Sequence, residues 1–237
     1  MEKGKKLLIS MRAIDKLFYG QYANKNVDFD LYEGEVHSLL GENGAGKTTL
    51  MNCLAGIYMP DGGSIYVDGS PVVLQNPRAA IEHGIGMVHQ HFMLVPVLTV
   101  WENIVLGQSG LPFVINKNEI IARIKEISQK YGLDVDPTKK IWELSIGEQQ
   151  RVEILKMLYR GTKVLVLDEP TSVLTPQETR ELFKTLKNMV AAGHGIVLIS
   201  HKIEEIMAIS DRLTVLRKGE LIATKSAVNT TREEIAE

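Results

Sequence analysis

The sequence predicts an α/β fold with a buried sheet, a β-rich layer on its flank and a helical subdomain inserted into the core. Three observations lead to this prediction. Short apolar runs rich in β-branched residues recur between amphipathic stretches, which is typical of buried strands that alternate with helices. Apolar and polar residues alternate in runs near the N-terminus, which indicates half-exposed strands. Helical spacing of apolar residues replaces both patterns in the middle of the chain.

The strands are predicted from runs of four to six residues. The buried strands are expected at residues 36–40, 85–88, 164–167, 196–200 and 213–216. The half-exposed strands are expected at residues 7–12, 27–31 and 64–67, with turns at 33–34 and 61–63. The second group is expected to form the flanking antiparallel β layer.

The helices are predicted from spacing and capping signals. Ile120, Ile121, Ile124 and Ile127 recur at helical intervals between probable linkers at residues 111–112 and 136–137. We therefore expect a helical subdomain at 91–160, with 1–90 and 161–237 forming the α/β core of a single domain. Residues 175–178 match a capping box with proline at the first helical position, which predicts a helix that ends at Gly193.

Composition narrows the class of protein. With 237 residues, 44% hydrophobic and 24% charged, the chain is typical of a globular domain. A net charge of −2 offers no basic field for a nucleic-acid backbone, so nucleic acid is not expected as a partner. The single cysteine, Cys53, and the lack of a signal-peptide core favour the cytoplasm. No apolar run approaches the about 20 residues of a membrane span, so a role at a membrane would require a partner.

A phosphate-binding motif follows the first buried strand. The segment GENGAGKT at residues 41–48 fits the P-loop pattern between a predicted strand and a predicted helix. In this context an accidental glycine-rich turn is the less favoured interpretation. Lys47 would contact the β- and γ-phosphates and Thr48 would bind Mg²⁺, so ATP and Mg²⁺ are the expected cofactors. The expected nucleotide-binding residues of the loop are Asn43, Gly44, Ala45, Gly46, Lys47, Thr48 and Thr49.

An acidic pair ends the buried strand at 164–167. Asp168 would hold Mg²⁺, and Glu169 would orient or deprotonate the attacking water. Alone the pattern is weak, because acids often follow a strand that leaves the core. Together with the P-loop it predicts a P-loop NTPase core.

Three further segments resemble motifs of the ABC ATPase family, and together with the P-loop they cover essentially the whole chain. Residues 144–151, LSIGEQQR, are similar to the signature motif of that family. Gln90, after one buried strand, resembles its Q-loop glutamine, and His201, after another, resembles its switch histidine. A lone glutamine or histidine at a strand end usually has a structural role. Here that interpretation changes only because Gln90 and His201 occur in the same order along the chain as the other motifs of the family.

The resemblance implies roles for these residues. In the family two domains close head to tail on two nucleotides, so Ser145, Gly147 and Glu148 would face the γ-phosphate held by a partner domain. Ser145 could equally be a helix N-cap with Glu148 at N3. Gln90 would contact Mg²⁺ and water, and His201 the γ-phosphate, so Gln90, Glu169 and His201 are the expected catalytic residues. Phe18 is the best match for the aromatic residue that stacks on adenine, with Tyr19 and Tyr22 as rivals.

Three positions depart from the family pattern. Ile146 stands where many members have glycine, and Glu148 stands where glutamine is usual. Thr175 stands where many members have an aspartate that communicates with the opposite site. Glu148 would add negative charge near a triphosphate, and Thr175 would alter communication between the sites.

Longer stretches resemble the first half of the tandem ATPase subunits of simple-sugar and nucleoside importers. The matching stretches are GENGAGKTTL, MVHQHFMLVPVLTVWEN and RVEILKMLYRGTKVLVLDEPTSVLTPQE. The resemblance implies an ATP-hydrolysing subunit on the cytoplasmic face of the membrane, working with transmembrane permease subunits and, indirectly, a solute-binding protein. A second ATPase domain, the C-terminal half of such a subunit, is the expected partner, and nucleosides are favoured over sugars.

Other interpretations are a non-transport ABC ATPase acting on ribosomes or DNA, or a nucleotide-sensing module without turnover. Non-transport members usually carry coiled coils, zinc cysteines or basic arms, which this sequence lacks, and loss of Glu169 or His201 would indicate a sensing module.

Overall fold

The computed structural model describes residues 5–108, 116–227 and 230. The strands in this part of the chain are β1 Leu7–Phe18, β2 Gln21–Tyr32, β3 Val36–Leu40, β4 Gly62–Val67, β5 Ser70–Val72, β6 Ile85–Val88, β7 Val164–Asp168, β8 Gly195–Ile199, β9 Arg212–Arg217 and β10 Glu220–Ser226. The helices are α1 Lys47–Leu54, α2 Pro77–Glu82, α3 Val100–Val105, α4 Lys117–Tyr131, α5 Ile146–Tyr159, α6 Pro176–Ala191 and α7 Ile203–Ile209. A 3₁₀ turn, Ile141–Glu143, precedes α5.

The main sheet has six strands in the order β10-β9-β3-β8-β7-β6. All neighbours are parallel except the edge pair β9–β10, which is antiparallel. Strands β3, β6, β7 and β8 are buried along their whole length, as expected for parallel strands covered on both faces. All five strands predicted from the apolar runs are present in this sheet. The bounds of β3 and β6 are those predicted, and the bounds of β7, β8 and β9 differ from the prediction by about one residue at an end.

The flanking layer is an antiparallel sheet, as predicted, and its strands have the order β2-β1-β4-β5. β1 is twice as long as predicted, because register shifts interrupt its alternation of apolar and polar residues, and β2 is more than twice as long as predicted. Tyr19 and Gly20 both have positive φ in the tight turn between them, which suits the twist of a hairpin. β4 begins at Gly62, inside the turn predicted at 61–63, and the prediction omitted β5 and β10.

Helices α3, α4 and α5 lie between β6 and β7, where helical spacing was predicted. In α4, Ile120, Ile124 and Ile127 are buried, whereas Ile121 is half-buried. The predicted linker at 111–112 lies outside the described residues, and the boundaries of the 91–160 subdomain remain a prediction. Among the described residues, no helix is both long and apolar enough to cross a bilayer.

Helix α6 has the capping box predicted for it. Thr175 accepts the N–H of Glu178, and the Glu178 carboxylate accepts the N–H of Thr175. The helix ends at Ala191, two residues before Gly193, whose φ of 89° suits the residue that follows a helix.

The arrangement of the parallel strands positions the candidate site. β3, β7, β8 and β6 run in one direction, so their carboxyl ends meet at one edge of the sheet. The P-loop follows β3, Glu169 directly follows β7, and His201 and Gln90 lie two residues after the ends of β8 and β6. The fold therefore brings residues from four distant parts of the chain to one edge.

Candidate nucleotide-binding site

The P-loop connects β3 to α1 and forms the floor of a cavity of about 380 Å³. Gly46, just before α1, has a φ of 98°, and a Cβ there would lie 2.4 Å from the Ala23 carbonyl oxygen. Only glycine fits both restrictions. The residues that line the cavity are Ala23, Asn43, Gly44, Ala45, Gly46, Lys47, Thr48, Thr49, Gln90, Asp168 and Glu169. All seven P-loop residues selected from the sequence therefore share one cavity with three of the residues expected to do the chemistry.

Lys47 is 6% exposed, and its ammonium group is held by the loop itself. Nζ donates to the carbonyl oxygens of Gly41 at 2.7 Å and Glu42 at 2.9 Å. Burial lowers the pKa of Lys47, and the carboxylates of Glu169 and Asp168 oppose that shift. A partly desolvated cation bonded only to neutral carbonyls gains most from an anionic acceptor, because charge-assisted hydrogen bonds are stronger. These features suit a loop that binds phosphate.

Asp168 and Thr48 place oxygen ligands beside the P-loop. The Thr48 hydroxyl donates to Asp168 Oδ1 at 3.4 Å, and Asp168 is 8% exposed. Burial raises the pKa of Asp168, while the bond from Thr48 opposes that shift. Hydroxyl and carboxylate oxygens are the ligands that Mg²⁺ prefers, and a divalent cation would offset the cost of burying the charged carboxylate. The residues present therefore fit a magnesium ion.

The three residues expected to be catalytic meet at one carboxylate. Gln90 Nε2 donates to Glu169 Oε2 at 3.3 Å, and His201 Nδ1 lies 3.0 Å from Glu169 Oε1. Since a carboxylate only accepts, Nδ1 is the donor in that bond. Glu169 has a φ of 46°, and its own N–H donates to the Ile199 carbonyl oxygen at 2.9 Å. A left-handed glutamate is strained, and such strain is often found where a side chain must be held in a particular place.

The loops that carry Glu169 and His201 are bonded to each other behind the site. Lys202 Nζ pairs with Glu205 at 3.0 Å and donates to the Thr171 carbonyl oxygen at 3.2 Å. The Thr171 hydroxyl donates to the same Glu205 carboxylate. No sequence pattern indicated Thr171 or Glu205, because the two residues follow different strands and meet only in the fold.

The signature residues lie at the start of α5 and do not line the P-loop cavity. Ser145 caps α5: its Oγ accepts the N–H of Glu148 at 3.2 Å, and Glu148 Oε2 accepts the N–H of Ser145 at 2.8 Å. The capping box considered from the sequence is confirmed. A Cβ on Gly147 would lie 2.5 Å from Glu178 Oε1, so the Glu178 side chain would have to shift, and the nearness of Glu178 was not foreseen.

Phe18 does not line the P-loop cavity. It is 37% exposed at the hairpin tip and packs edge-on against Tyr58, with ring centroids 5.2 Å apart. Ala23 and Asn24 contact the P-loop instead, and the fully buried Asn24 Nδ2 donates to the Gly46 carbonyl oxygen at 3.1 Å. Stacking of Phe18 on a base remains a prediction, and Asn24 is a contact that the sequence did not reveal.

Comparisons with known proteins agree with this arrangement. The family model described as "ABC transporter" matches residues 24–172. The guanosine import ATP-binding protein NupO of Bacillus subtilis is 50% identical over 97% of this chain and 45% of its own length. The glucose import ATP-binding protein TsgD13 of Haloferax volcanii is 45% identical over 97% of this chain and 47% of its own. The chain thus spans about half the length of these relatives.

A solved structure extends the likeness to three dimensions. The dimeric structure of MJ0796, a bacterial ABC transporter cassette, is 27% identical and aligns with a TM-score of 0.79. It covers 93% of this chain and 99% of its own. The family match covers more than half of the sequence, and the fold and the P-loop cavity agree with it. This chain therefore belongs to the ABC transporter family, as an ATP-binding domain.

Proposed function

We propose that this chain is an ATP-binding and ATP-hydrolysing domain that powers solute import across a membrane. The observation that carries the proposal is the Glu169 carboxylate at the rim of the P-loop cavity, bonded by both Gln90 and His201. A carboxylate held by two donors beside a phosphate cradle suits hydrolysis, because it can be aimed at a water that attacks the last phosphate. A module that only sensed nucleotide would have no use for that arrangement.

Binding uses the loop and its lysine. The P-loop N–H groups and the start of α1 would surround the β-phosphate, and Lys47 would exchange its two carbonyl partners for phosphate oxygens. Thr48, Asp168 and Gln90 would hold Mg²⁺, which neutralises charge on the β- and γ-phosphates when bound. The adenine would lie toward the hairpin tip, where Phe18 is the proposed stacking partner.

Hydrolysis is assigned to Glu169. Its carboxylate would accept a proton from the attacking water while the water oxygen bonds to the γ-phosphorus and the bond to the bridging oxygen of ADP breaks. His201 would donate a hydrogen bond to the γ-phosphate, and Gln90 would orient the water. Both side chains bond Glu169 in the structure, and in this mechanism each would turn from that carboxylate toward the nucleotide.

The second half of the site would come from another ATPase domain. Ser145 and Gly147 begin a helix outside this chain's own cavity, so the dipole of α5 can serve a γ-phosphate that a partner domain holds. We infer a head-to-tail pair, with the C-terminal half of a tandem subunit as the partner. The relatives' length, about twice that of this chain, supports that partner.

Import is supported by the relatives. Their names specify guanosine import and glucose import, which fits nucleosides or simple sugars as the solute. We favour nucleosides, since the guanosine relative has the higher identity of the two. The partners would then be permease subunits and, through them, a solute-binding protein, with this domain peripheral on the cytoplasmic face of the membrane.

Copurification followed by stimulation of ATP hydrolysis tests this function. A tagged chain, expressed in its own cell and extracted in mild detergent, is expected to bring down a second ATPase domain and a membrane permease. ATP hydrolysis by that complex, reconstituted in vesicles with its solute-binding protein, should rise with guanosine more than with glucose. Recovery of ribosomes or DNA in place of a permease would refute import, and stimulation by glucose alone would refute the nucleoside preference.

A further inference from the structure

The chain that follows Gln90 is bonded to the side chains of helix α5. Met93 donates its N–H to Glu153 Oε1 at 2.5 Å, and Lys156 Nζ donates to the Met93 carbonyl oxygen at 3.3 Å. Glu153 and Lys156 are three residues apart, so they lie on one face of α5. One helix thus holds both polar groups of a single residue in the loop.

The Glu153 carboxylate is buried, which makes this contact unusual. Glu153 is 3% exposed, and burial lowers the pKa of Lys156 while Glu153 opposes that shift. Buried charges are costly, and apolar side chains of similar size often stabilise a fold as well or better. Two oppositely charged side chains that each bond the backbone of a loop are better suited to holding that loop in register than to general stability.

Other bonds join the same loop to the region around it. The fully buried Asn103 of α3 accepts the N–H of Val95 at 2.7 Å and donates to its carbonyl oxygen at 3.1 Å. In the 3₁₀ turn just before Ser145, Trp142 donates its N–H to the Pro96 carbonyl oxygen at 3.2 Å. Residues 93–98 are therefore fixed to α3, to α5 and to the turn that leads into α5.

These bonds connect the two half-sites of one chain. Gln90 bonds Glu169 at the P-loop cavity, and Met93, three residues later, bonds Glu153. Glu153 lies about two turns inside α5, the helix that Ser145 caps. Two hydrogen bonds and the intervening backbone of residues 90–93 thus join the Glu169 carboxylate to the helix that would face the partner's nucleotide.

We propose that Glu153, with Lys156, is a positioning residue that makes the N-terminus of α5 follow Gln90 when nucleotide enters the P-loop. The inference rests on the proposed function, since it requires that Gln90 exchange Glu169 for bound nucleotide. When Gln90 moves, residues 91–93 move with it. The two hydrogen bonds that join Met93 to Glu153 and Lys156, here called the Met93 clamp, then pass the displacement to α5. Nucleotide bound by a chain would then set the position of the signature helix of that same chain.

Hydrogen exchange with and without Mg-ATP tests the clamp. At a protein concentration where the chain is monomeric, Mg-ATP should slow amide exchange both in the P-loop and in residues 144–150. Glu153→Leu should retain the protection of the P-loop and reduce the ATP-dependent protection of 144–150 by about 5-fold or more. Glu153→Gln, which keeps an acceptor for the Met93 N–H, should retain most of it and serves as the matched control.

A second variant tests the same contact in case the first variant does not fold. If Glu153→Leu does not fold, Lys156→Met removes the bond to the Met93 carbonyl oxygen alone and should weaken the protection of 144–150 in part. Equal ATP-dependent protection of 144–150 in the wild type and in the variant that folds would overturn the clamp. No protection of 144–150 in the wild type would also overturn it. A wild-type P-loop without protection would refute the proposed function, and this inference with it.

Discussion

Glu169→Gln is expected to leave the affinity for Mg-ATP close to that of the wild type while slowing hydrolysis by about 100-fold or more. Glutamine has the same size and can still contact Gln90 and His201, but its amide cannot accept a proton from water. The φ of 46° at this residue places the side chain at the rim of the cavity, and that backbone would be retained. The loss should therefore appear in the chemical step alone.

The measurement for Glu169→Gln is a nucleotide-binding titration combined with single-turnover phosphate release. Glu126→Gln is the matched control, because Glu126 is an exposed residue of α4 that forms an ion pair with Arg123 on the same helix. The control should bind and hydrolyse ATP like the wild type. Wild-type phosphate release by Glu169→Gln in the assembled transporter would show either that Glu169 is not the base or that the opposite composite site does all of the hydrolysis.

Lys47→Ala is expected to weaken ATP binding by about 100-fold, because a charge-assisted hydrogen bond contributes about 1.5–3 kcal/mol. Among the described residues, Lys47 is the only lysine whose side chain lines the P-loop cavity. Its removal also leaves the carbonyl oxygens of Gly41 and Glu42 without that donor. Phosphate affinity and the shape of the loop should therefore both suffer.

An ATP titration read by calorimetry, together with a melting curve, checks Lys47→Ala. Lys187→Ala removes an exposed lysine of α6 and should match the wild type in both measurements. A melting temperature near that of the wild type would show that the loss of affinity is local. Wild-type ATP affinity in a folded Lys47→Ala variant would exclude the P-loop as the phosphate site.

Local patterns explain what could be predicted from the sequence. β6 contains only apolar residues and glycine, and β3 begins and ends with apolar residues around His37 and Ser38, so their bounds follow from local composition. The P-loop residues are neighbours in the chain, so a motif suffices to place them in one cavity. β1 was predicted too short because its register shifts break the alternation on which the prediction depended. β10 was missed because most of its residues are exposed.

Contacts between distant residues explain the rest. Asn24 and Gly46, or Met93 and Glu153, come together through the fold, and no pattern in the sequence links them. Gln90 and His201 were selected only because they follow the order of motifs in the ABC ATPase family. The structure shows in addition that both side chains bond Glu169. Their catalytic roles, like the stacking role of Phe18, remain predictions.

The departures from the family pattern have local explanations in the structure. Glu148 accepts a hydrogen bond from the N–H of Ser145, so its negative charge is partly offset at the start of α5. Thr175 is the N-cap of α6, a position that both threonine and aspartate commonly fill. Ile146 is exposed beside the cap of α5 and available for contact with another domain. We therefore expect a partner whose surface differs from that of this chain.

Phosphate release measured against protein concentration, with sedimentation in Mg-ATP, tests most directly whether one chain carries two half-sites. Without an opposing helix N-terminus the γ-phosphate would face water, so the stabilisation of a closed, dry site would be missing. We predict a monomer that binds Mg-ATP and hydrolyses it poorly, with turnover that rises when the second ATPase domain and the permease are added. Self-pairing at high concentration should restore little, since no linker raises the effective concentration. A monomer with transporter-like turnover, independent of concentration, would contradict the composite site.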